Sequence, residues 1–263
     1  MDTRLQKFLS QMGIASRRQA EVMISQSRVR VNGIVAQIGQ KVDPECDRIT
    51  IDGKAIAIAQ RPQLSYLLLH KPAGVVSTCD DPQGRPTVLD LIPPELAAGQ
   101  GIHPVGRLDA DSTGALILTN DGDLTFWLTH PSHSIPKTYR VVVEGHPTES
   151  TLKRWRHGIK LDGRMTRTAR IRVIKKYAQS TQLEIILQEG RNRQIRRVAE
   201  ILGHSVIELH RTAIGSIQLH PPGKASLPEG SYRLLTDWEI RDLKHQCNQF
   251  PINDSAGLRS KNP

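Results

Sequence analysis

The first sixty residues carry two helical patterns followed by a strand pattern. Apolar side chains recur at helical spacing at Leu5, Phe8, Leu9 and Met12. Ser16 and Gln19 have the spacing of a capping box, which predicts the start of a second helix. Asn32-Gly33 lies between alternating apolar residues, which is a strong hairpin signal. We therefore predict a small module of two helices and a hairpin over residues 1–60.

Apolar segments beyond residue 60 predict a larger domain that contains both strands and helices. The predicted strands are 66–69, 115–119, 139–144, 169–175 and 181–187. The predicted helices are 122–130, 149–157 and 192–202. We assign residues 61–245 to this α+β domain. Residues 246–263 are polar with little periodicity, and we expect them to form a disordered tail.

The charge of the chain favours a polyanionic partner. Basic residues outnumber acidic ones by 36 to 26, and the isoelectric point is about 9.8. Bound cations release counterions from a phosphate backbone, which drives association. Composition alone leaves RNA, DNA and an acidic membrane surface open. A content of 38% apolar and 24% charged residues suits a globular protein and excludes global disorder.

The sequence indicates neither a membrane anchor nor a metal site. The N-terminal segment has no apolar core typical of a leader, and no apolar run approaches the roughly 20 residues that span a bilayer. Cys46, Cys79 and Cys247 are far apart and form no CxxC pair. His130 and His133 have ligand-like spacing, but no nearby cysteine or acidic cluster completes a site. We expect a cytoplasmic protein with reduced thiols, no membrane partner and no bound metal.

Arg17 and Arg18 lie in the first turn of the second predicted helix. Cations at a helix start are unfavourable by roughly 0.3–1 kcal/mol each when exposed. Free amide groups at that end attract anions, so a bound phosphate would make both arginines favourable. The alternative is that both side chains simply project into solvent, and local physics does not separate the two.

Three segments together resemble the S4 RNA-binding domain over residues 2–60. They are Arg4-Leu5, residues 15–20 (Ala-Ser-Arg-Arg-Gln-Ala) and residues 29–33 (Val-Arg-Val-Asn-Gly). The resemblance implies an RNA-binding module of the αL type. It also implies contacts to the RNA backbone, which position RNA without reading its sequence. The candidate contact residues are Arg4, Lys7, Arg17, Arg18 and Arg30.

Residues 103–114 place acidic, basic and small residues in a loop before an apolar strand. Loops on a rigid sheet commonly carry chemistry. Asp109 lies two residues from Arg107 and two from Asp111. From these residues alone, Asp109 is either an ion-paired turn residue or a catalytic carboxylate.

The same loop resembles the signature of pseudouridine synthases of the RsuA/RluB type. The resemblance continues through residues 115–122 (Ala-Leu-Ile-Leu-Thr-Asn-Asp-Gly). Further segments of the same family pattern are 70–74, 81–88, 137–141 and 189–197. Pro104-Val105-Gly106 and residues 190–194 look closer to the large-subunit RluB-like branch. The resemblance implies a catalytic domain built on a mixed, mainly antiparallel sheet.

The resemblance also implies a set of catalytic residues. It assigns the reacting carboxylate to Asp109, which acts on uridine as nucleophile or as base. It assigns to Arg196 the cation that keeps Asp109 ionised. Tyr139 matches the active-site tyrosine, whose ring can stack on a displaced uracil. The reaction is an isomerisation without a redox step, so no cofactor is expected.

The remaining expectations concern the RNA and the rival functions. Further RNA contacts are expected at Arg107, Arg191, Arg193 and Arg197. The implied substrate is a uridine of 23S ribosomal RNA, free or in a ribosomal assembly intermediate, and the protein is expected to act as a monomer. Three alternatives stay open: the same chemistry on 16S RNA, a noncatalytic ribosomal RNA-binding protein, and a hydrolase that uses Asp109 and Asp111.

Overall fold

The computed structural model describes residues 2–57, 61–223 and 225–248. The N-terminal module contains two helices and six short strands. These elements are β1 (Thr3–Arg4), α1 (Leu5–Gln11), α2 (Arg17–Ser25), β2 (Val29–Val31), β3 (Ile34–Val35), β4 (Lys41–Val42), β5 (Ile49–Ile51) and β6 (Lys54–Ala55). The two predicted helices and the predicted hairpin are therefore confirmed.

Local chemistry explains where the elements of this module begin and turn. Ser16 Oγ accepts a hydrogen bond from Gln19 N (3.3 Å), and Gln19 Oε1 accepts one from Ser16 N (3.0 Å), so the capping box is complete. Asn32 and Gly33 have φ values of 53° and 83°, as a two-residue hairpin turn with matching strand twist requires. The apolar faces of both helices pack on the hairpin in one buried core.

The second domain alternates strands and helices. Its elements are β7 (Tyr66–Lys71), α3 (Pro94–Ala97), β8 (His103–Pro104), β9 (Thr113–Thr119), α4 (Gly122–Thr129), β10 (Lys137–Glu144), α5 (Glu149–His157), β11 (Lys160–Leu161), β12 (Arg164–Met165), β13 (Arg170–Lys176), β14 (Ser180–Leu187), α6 (Gln194–Ile201), β15 (Val206–Ile214), β16 (Ile217–Gln218), β17 (Tyr232–Leu234) and α7 (Asp237–Asn248). Short 3₁₀ turns cover Val88–Leu91 and Pro131–His133.

One sheet organises this domain, in the strand order β13-β14-β10-β15-β9-β7-β17. Neighbouring strands along this order are antiparallel, except that β15 runs parallel to β9. The expected mixed, mainly antiparallel sheet is confirmed, and so is the α+β class. The parallel pairing covers two residue pairs, His210 with Thr113 and Arg211 with Gly114.

Two hydrophobic cores cover the same face of this sheet and leave a strip between them. Leu209 of β15 belongs to the core beneath α5 and α6, whereas Leu116 of β9 belongs to the core formed with β7. Side chains two residues apart share a face, and Arg211 is in register with Gly114. Leu209, Arg211 and Leu116 therefore lie on one face, and the strip between the cores runs along β15 and β9.

Gly114 allows these two strands to approach at the strip. Its φ is 114°, and an added Cβ would lie 2.2 Å from the Arg211 carbonyl oxygen. A side chain here would have to separate β9 from β15. Glycine is thus required for the central strand pairing, rather than for loop freedom alone.

The N-terminal module contacts the second domain. Lys7 Nζ of α1 lies 2.7 Å from Asp123 Oδ1 of α4. A Cβ on Gly13 would lie 2.1 Å from the Gly99 carbonyl oxygen, so the two backbones touch. Among the described helices, none is long and apolar enough to cross a membrane.

The observed elements differ from the predicted ones mainly near the C-terminus. The strand β15 was not predicted from the sequence, although it is the longest strand of the sheet. The helix α7 continues through Asn248, so residues 246–248 are helical rather than part of a tail. Residues 249–263 of the expected tail, and residues 58–60 at the expected domain boundary, lie outside the described residues.

Candidate active site

The loop that carries Asp109 is fixed by hydrogen bonds to its backbone. Ser77 Oγ donates to the Leu108 carbonyl oxygen (2.8 Å) and accepts from Leu108 N (3.1 Å). The Asp109 carbonyl oxygen accepts from Ser112 N (3.1 Å), which closes a tight turn. The Ala110 carbonyl oxygen accepts from Gly74 N (2.8 Å). The carboxylate of Asp109 therefore projects from a rigid turn, and its side chain keeps 30% of its surface exposed.

Lys71 supports the same loop from below. It ends β7 and is fully buried. Its ammonium donates to the carbonyl oxygens of Pro72 (2.8 Å), Ser112 (2.9 Å) and Ala110 (3.4 Å). Burial lowers the pKa of Lys71 to about 8, against the opposing effect of Asp111 and Asp109. This buried cation therefore holds the turn and places positive potential beneath both carboxylates.

Two arginines of the α6 segment meet the two carboxylates. Arg193 Nη1 lies 3.4 Å from Asp109 Oδ2, and Arg193 Nη2 lies 3.3 Å from Asp111 Oδ2. Arg196 Nη2 lies 3.2 Å from Asp111 Oδ1 and also donates to the Ser112 hydroxyl (3.3 Å). The arrangement is a compact cluster of two acids and two guanidinium groups.

This geometry corrects the ion pair expected from the sequence. Arg196 was expected to pair with Asp109, but among the described residues the ion pair to Asp109 comes from Arg193. Arg193 stands at the start of α6, where its exposed side chain reaches over the loop. Arg196 lies one turn further along, is only 15% exposed, and is taken up by Asp111 and Ser112.

The start of α6 is held in an unusual conformation. Arg193 has φ 48° and ψ 32°, the left-handed region that a non-glycine residue rarely adopts. Glu189 accepts from Gln194 Nε2 (2.7 Å) and pairs with Arg191 (3.3 Å), which anchors the turn. The neighbouring contacts thus hold a strained residue at the position that faces Asp109.

Asp111 is kept ionised by the same arginines. Partial burial acts to raise the pKa of Asp111, but Arg196 and Arg193 outweigh it, so the pKa lies below the usual range. The Ser112 hydroxyl also donates to Asp111 (3.3 Å). Asp111 therefore carries a negative charge at neutral pH and orients both arginines around Asp109.

Tyr139 belongs to a hydrophobic core that extends to the residues next to this cluster. It is largely buried in the core that also contains Leu108 and Ile195, the residues that immediately precede Asp109 and Arg196. The three residues that the sequence analysis assigned to catalysis therefore lie around one hydrophobic core. Tyr139 pairs directly with Arg211 of β15, next to a β-bulge.

The candidate RNA-binding residues fall into two groups. Arg17, Arg18 and Arg107 are exposed, and their side chains make no ion pair or hydrogen bond within the described parts of the chain. The other group has intramolecular partners, and its members are Arg4, Lys7, Arg30, Arg191, Arg193 and Arg197. In the first group every donor of the guanidinium is available to RNA.

Arg191 and Arg197 are tied within the fold. Arg191 donates to the Met165 carbonyl oxygen (2.6 Å), and Arg197 pairs with Asp162 (2.5 Å). Both contacts join the α6 segment to the hairpin of β11 and β12. In the described residues, no group of three or more His, Cys, Asp or Glu side chains is arranged to hold a metal ion.

Comparison with known proteins identifies the family. A profile described as RNA pseudouridylate synthase matches residues 65–200, which include the Asp109 loop, Tyr139 and Arg196. The chain belongs to the RNA pseudouridylate synthase family. A second profile, described as S4 domain, matches residues 3–49, so the expected RNA-binding module is confirmed.

Relatives in this family match along most of their length. An RNA pseudouridine synthase of Aquifex aeolicus is 40% identical over 92% of this chain and 94% of its own. The ribosomal large subunit pseudouridine synthase B of Bacillus subtilis is 38% identical over 94% of this chain and 99% of its own. A crystal structure of a pseudouridylate synthase has a TM-score of 0.65 at 32% identity, covering 91% of this chain and 99% of that one.

Three buried polar residues near the site were not predicted from the sequence, namely Lys71, Ser77 and Arg211. One signal could have drawn attention to Lys71. It ends a strand that is otherwise buried from Tyr66 onward, and a lysine is almost never fully buried without partners. Ser77 lies in an irregular segment, and no pattern in the sequence sets it apart.

Proposed function

We propose that this chain converts a specific uridine of large-subunit ribosomal RNA to pseudouridine, with Asp109 as the reacting carboxylate. One observation carries the proposal. Asp109 is a partly exposed carboxylate on a turn fixed by Ser77 and Lys71, and Arg193 lies against it. The family has this chemistry, and a preorganised carboxylate in such surroundings suits it.

The reaction rearranges bonds within one nucleotide. The bond between N1 of uracil and C1′ of ribose breaks, the base turns, and C5 bonds to C1′ while its proton is lost and N1 gains one. Asp109 starts this sequence either by attacking C1′ or by removing a proton from the sugar. Product and substrate have equal mass, and no electron acceptor or hydrolytic water is consumed.

The neighbouring residues have distinct proposed roles. Arg193 and Arg196 pair with the two carboxylates and fix their directions. The ring of Tyr139 provides a surface on which the displaced uracil stacks, since a base must leave its helix to enter such a site. Arg107 is exposed beside the loop and contacts the RNA backbone or the vacated position.

The choice of ribosomal RNA is supported by the relatives and by the N-terminal module. The Bacillus subtilis relative is named for the large ribosomal subunit and aligns over nearly its full length. The exposed Arg17 and Arg18 at the start of α2 suit phosphate contacts in folded RNA. We further propose that the protein acts in the cytoplasm, as a monomer, and without a cofactor.

The deciding experiment compares the wild type with Asp109→Asn on unmodified transcripts of both ribosomal subunits. Pseudouridine is mapped by chemical adduct formation and reverse transcription. We expect one modified position in the large-subunit RNA and a loss of at least about 10⁴-fold in the variant, with RNA binding retained. Asp109→Asn keeps the size of the side chain and removes only its charge.

The same assay separates the rival functions. Modification confined to the small-subunit transcript would show that the substrate is small-subunit RNA and that the proposed chemistry is right. Binding without any modified base would favour a noncatalytic RNA-binding protein, and release of free uracil would identify a hydrolase. Equal product from wild type and Asp109→Asn would contradict the role of Asp109.

A further inference from the structure

Arg211 occupies a position that packing alone does not explain. It lies on β15, in the middle of the sheet, and is only 3% exposed. Its Nε donates to the Ala115 carbonyl oxygen at 2.7 Å. Its Nη2 is buried and has no hydrogen-bond partner among the described residues. A buried guanidinium nitrogen without a partner loses its hydration and gains nothing in return.

The charge of Arg211 is also not balanced by an acid. Among the described residues, no carboxylate forms an ion pair with it. Two lysines lie within electrostatic reach of Arg211, since its charge contributes to lowering the pKa of both Lys71 and Lys137. An apolar side chain would fill the same volume without the cost of burying a cation. Retention of a cation here therefore points to a ligand.

The place of Arg211 shows which part of a nucleotide it can meet. Tyr139 is directly opposite Arg211 on the neighbouring strand, and residues directly opposite in antiparallel strands share a face. Leu209, two residues before Arg211, packs in the same core as Tyr139. Arg211 thus lies on the floor of the strip between the two cores, beside the ring proposed to stack on the base.

We propose that Arg211 donates a hydrogen bond from Nη2 to a carbonyl oxygen of the target uracil and stabilises the base while it is detached. This inference rests on the proposed function. A phosphate is bulky and hydrated and suits the exposed arginines, whereas a flat, uncharged base suits a buried donor such as Arg211. Uracil offers two acceptors, O2 and O4, at positions where a donor can reach it.

The contribution of Arg211 follows from where charge develops. When the bond between N1 and C1′ breaks, its electron pair stays on the uracil ring and spreads onto O2 and O4. A fixed guanidinium in a dry site stabilises that charge without having to reorganise. Arg211 transfers no proton and forms no bond. It is a catalytic residue in the sense that it touches the base during the reaction.

The test changes one atom of the base and one residue of the protein, separately and together. Once the modified uridine is mapped, short RNA fragments are made with uridine, 2-thiouridine or 4-thiouridine at that position. Sulfur accepts hydrogen bonds more weakly than oxygen. We expect the single-turnover rate of the wild type to fall about tenfold with one of the two thio bases. If neither thio base slows the wild type, the proposal is overturned without any variant.

Arg211→Met provides the second arm. We expect it to lose about 100-fold in single-turnover rate on uridine, as for removal of one donor to a developing anion. It should show no further loss with the sensitive thio base, since the contact is already absent. If the loss from Arg211→Met and the loss from the thio base multiply, the proposed contact between Arg211 and the base is contradicted. The midpoint temperature of thermal unfolding of Arg211→Met should equal or exceed that of the wild type, because a buried unpaired cation is removed.

Arg140→Met is the matched control. Arg140 lies next to Tyr139 on β10 but on the opposite, exposed face of the sheet. The variant Arg140→Met should keep the single-turnover rate of the wild type and its full sensitivity to the thio base. If the wild type forms no pseudouridine on any ribosomal transcript, the proposed function fails. If it forms pseudouridine and Arg211→Met is equally fast, only the role of Arg211 fails.

Discussion

The N-terminal module and the catalytic domain each contain a group of cations, and these two groups behave in opposite ways. In the N-terminal module, the side chains of Arg17 and Arg18 are exposed and form no hydrogen bond or ion pair with other described residues. In the catalytic domain, Lys71 is fully buried and bonded to three carbonyl oxygens, and Arg196 is bonded to Asp111 and Ser112. The first kind of cation is available to a partner, and the second kind shapes the protein itself.

This difference predicts how each domain responds to substitution. A free cation on a surface contributes one of several similar phosphate contacts, so its loss weakens binding a little and leaves chemistry intact. A buried cation fixes atoms near Asp109, the proposed reacting carboxylate, so its loss is expected to change the rate steeply. Substitutions of the two kinds of cation should therefore differ in their effect on rate and on binding.

Among the substitutions that test this contrast, Lys71→Met should give the largest loss. It leaves the carbonyl oxygens of Ala110 and Ser112 without their shared donor and frees the turn that carries Asp109. We expect the single-turnover rate at saturating enzyme to fall about 100-fold while RNA affinity stays within about twofold. If Lys71→Met instead binds RNA poorly but reacts at the normal rate once bound, the contrast between exposed and buried cations is wrong.

The stability of the protein should also depend on pH through Lys71. Its pKa is about 8 in the folded protein, below the ordinary value of 10.5. Above pH 8 the unfolded chain holds a proton that the folded chain has released, so stability attributable to Lys71 rises with pH. Denaturant unfolding from about pH 8 to 9.5 should show a rise of about 2 kcal/mol in the wild type relative to Lys71→Met. A constant difference would contradict the lowered pKa.

Arg196→Gln and Arg193→Gln should separate the two arginines near Asp109. Arg196 is 15% exposed and makes charge-assisted bonds, so we expect about a 30-fold loss in single-turnover rate. Arg193 is 43% exposed, and solvent screens its pairing with Asp109, so we expect about a threefold loss. The reverse order would show that direct pairing with Asp109 matters more than burial.

Arg17→Gln and Arg18→Gln should have the smallest effect. Each should weaken RNA binding about threefold and reduce the slope of log affinity against log salt by about 1. The rate of the bound complex should not change. The matched control is Arg28→Gln, because Arg28 is in the same module but is held by Asp52 at 2.7 Å. An equal change of slope in Arg28→Gln would show that intramolecular pairing does not remove a cation from RNA binding.

Much of the fold follows from local pattern in the sequence. The capping box at Ser16 and the turn at Asn32-Gly33 use only neighbouring residues, so spacing suffices to predict them. The strands with clean alternation, such as β10 and β14, were also predictable. The Asp109 loop, Tyr139 and Arg196 could be named only through the family resemblance, since each residue alone also fits an ordinary structural role.

Other parts depend on tertiary contacts that no local pattern contains. The strand β15 carries His210 and Arg211 at its middle, which interrupts the apolar alternation of a central strand. The pairing of Arg193 with Asp109 depends on the left-handed conformation at the start of α6. The buried position of Lys71 depends on carbonyl oxygens about 40 residues away in the chain.

The position of β15 has a consequence for how the protein is made. It joins β10 to β9, so within the described part of the chain the two parts of the sheet pair only through residues 206–214. During synthesis the chain emerges from its N-terminus, and long-range strand pairing must wait for the last partner. The loop with Asp109 leaves the ribosome about a hundred residues earlier. A nascent or truncated chain can thus contain its complete S4 module before the catalytic sheet is complete and the chain can act on a base.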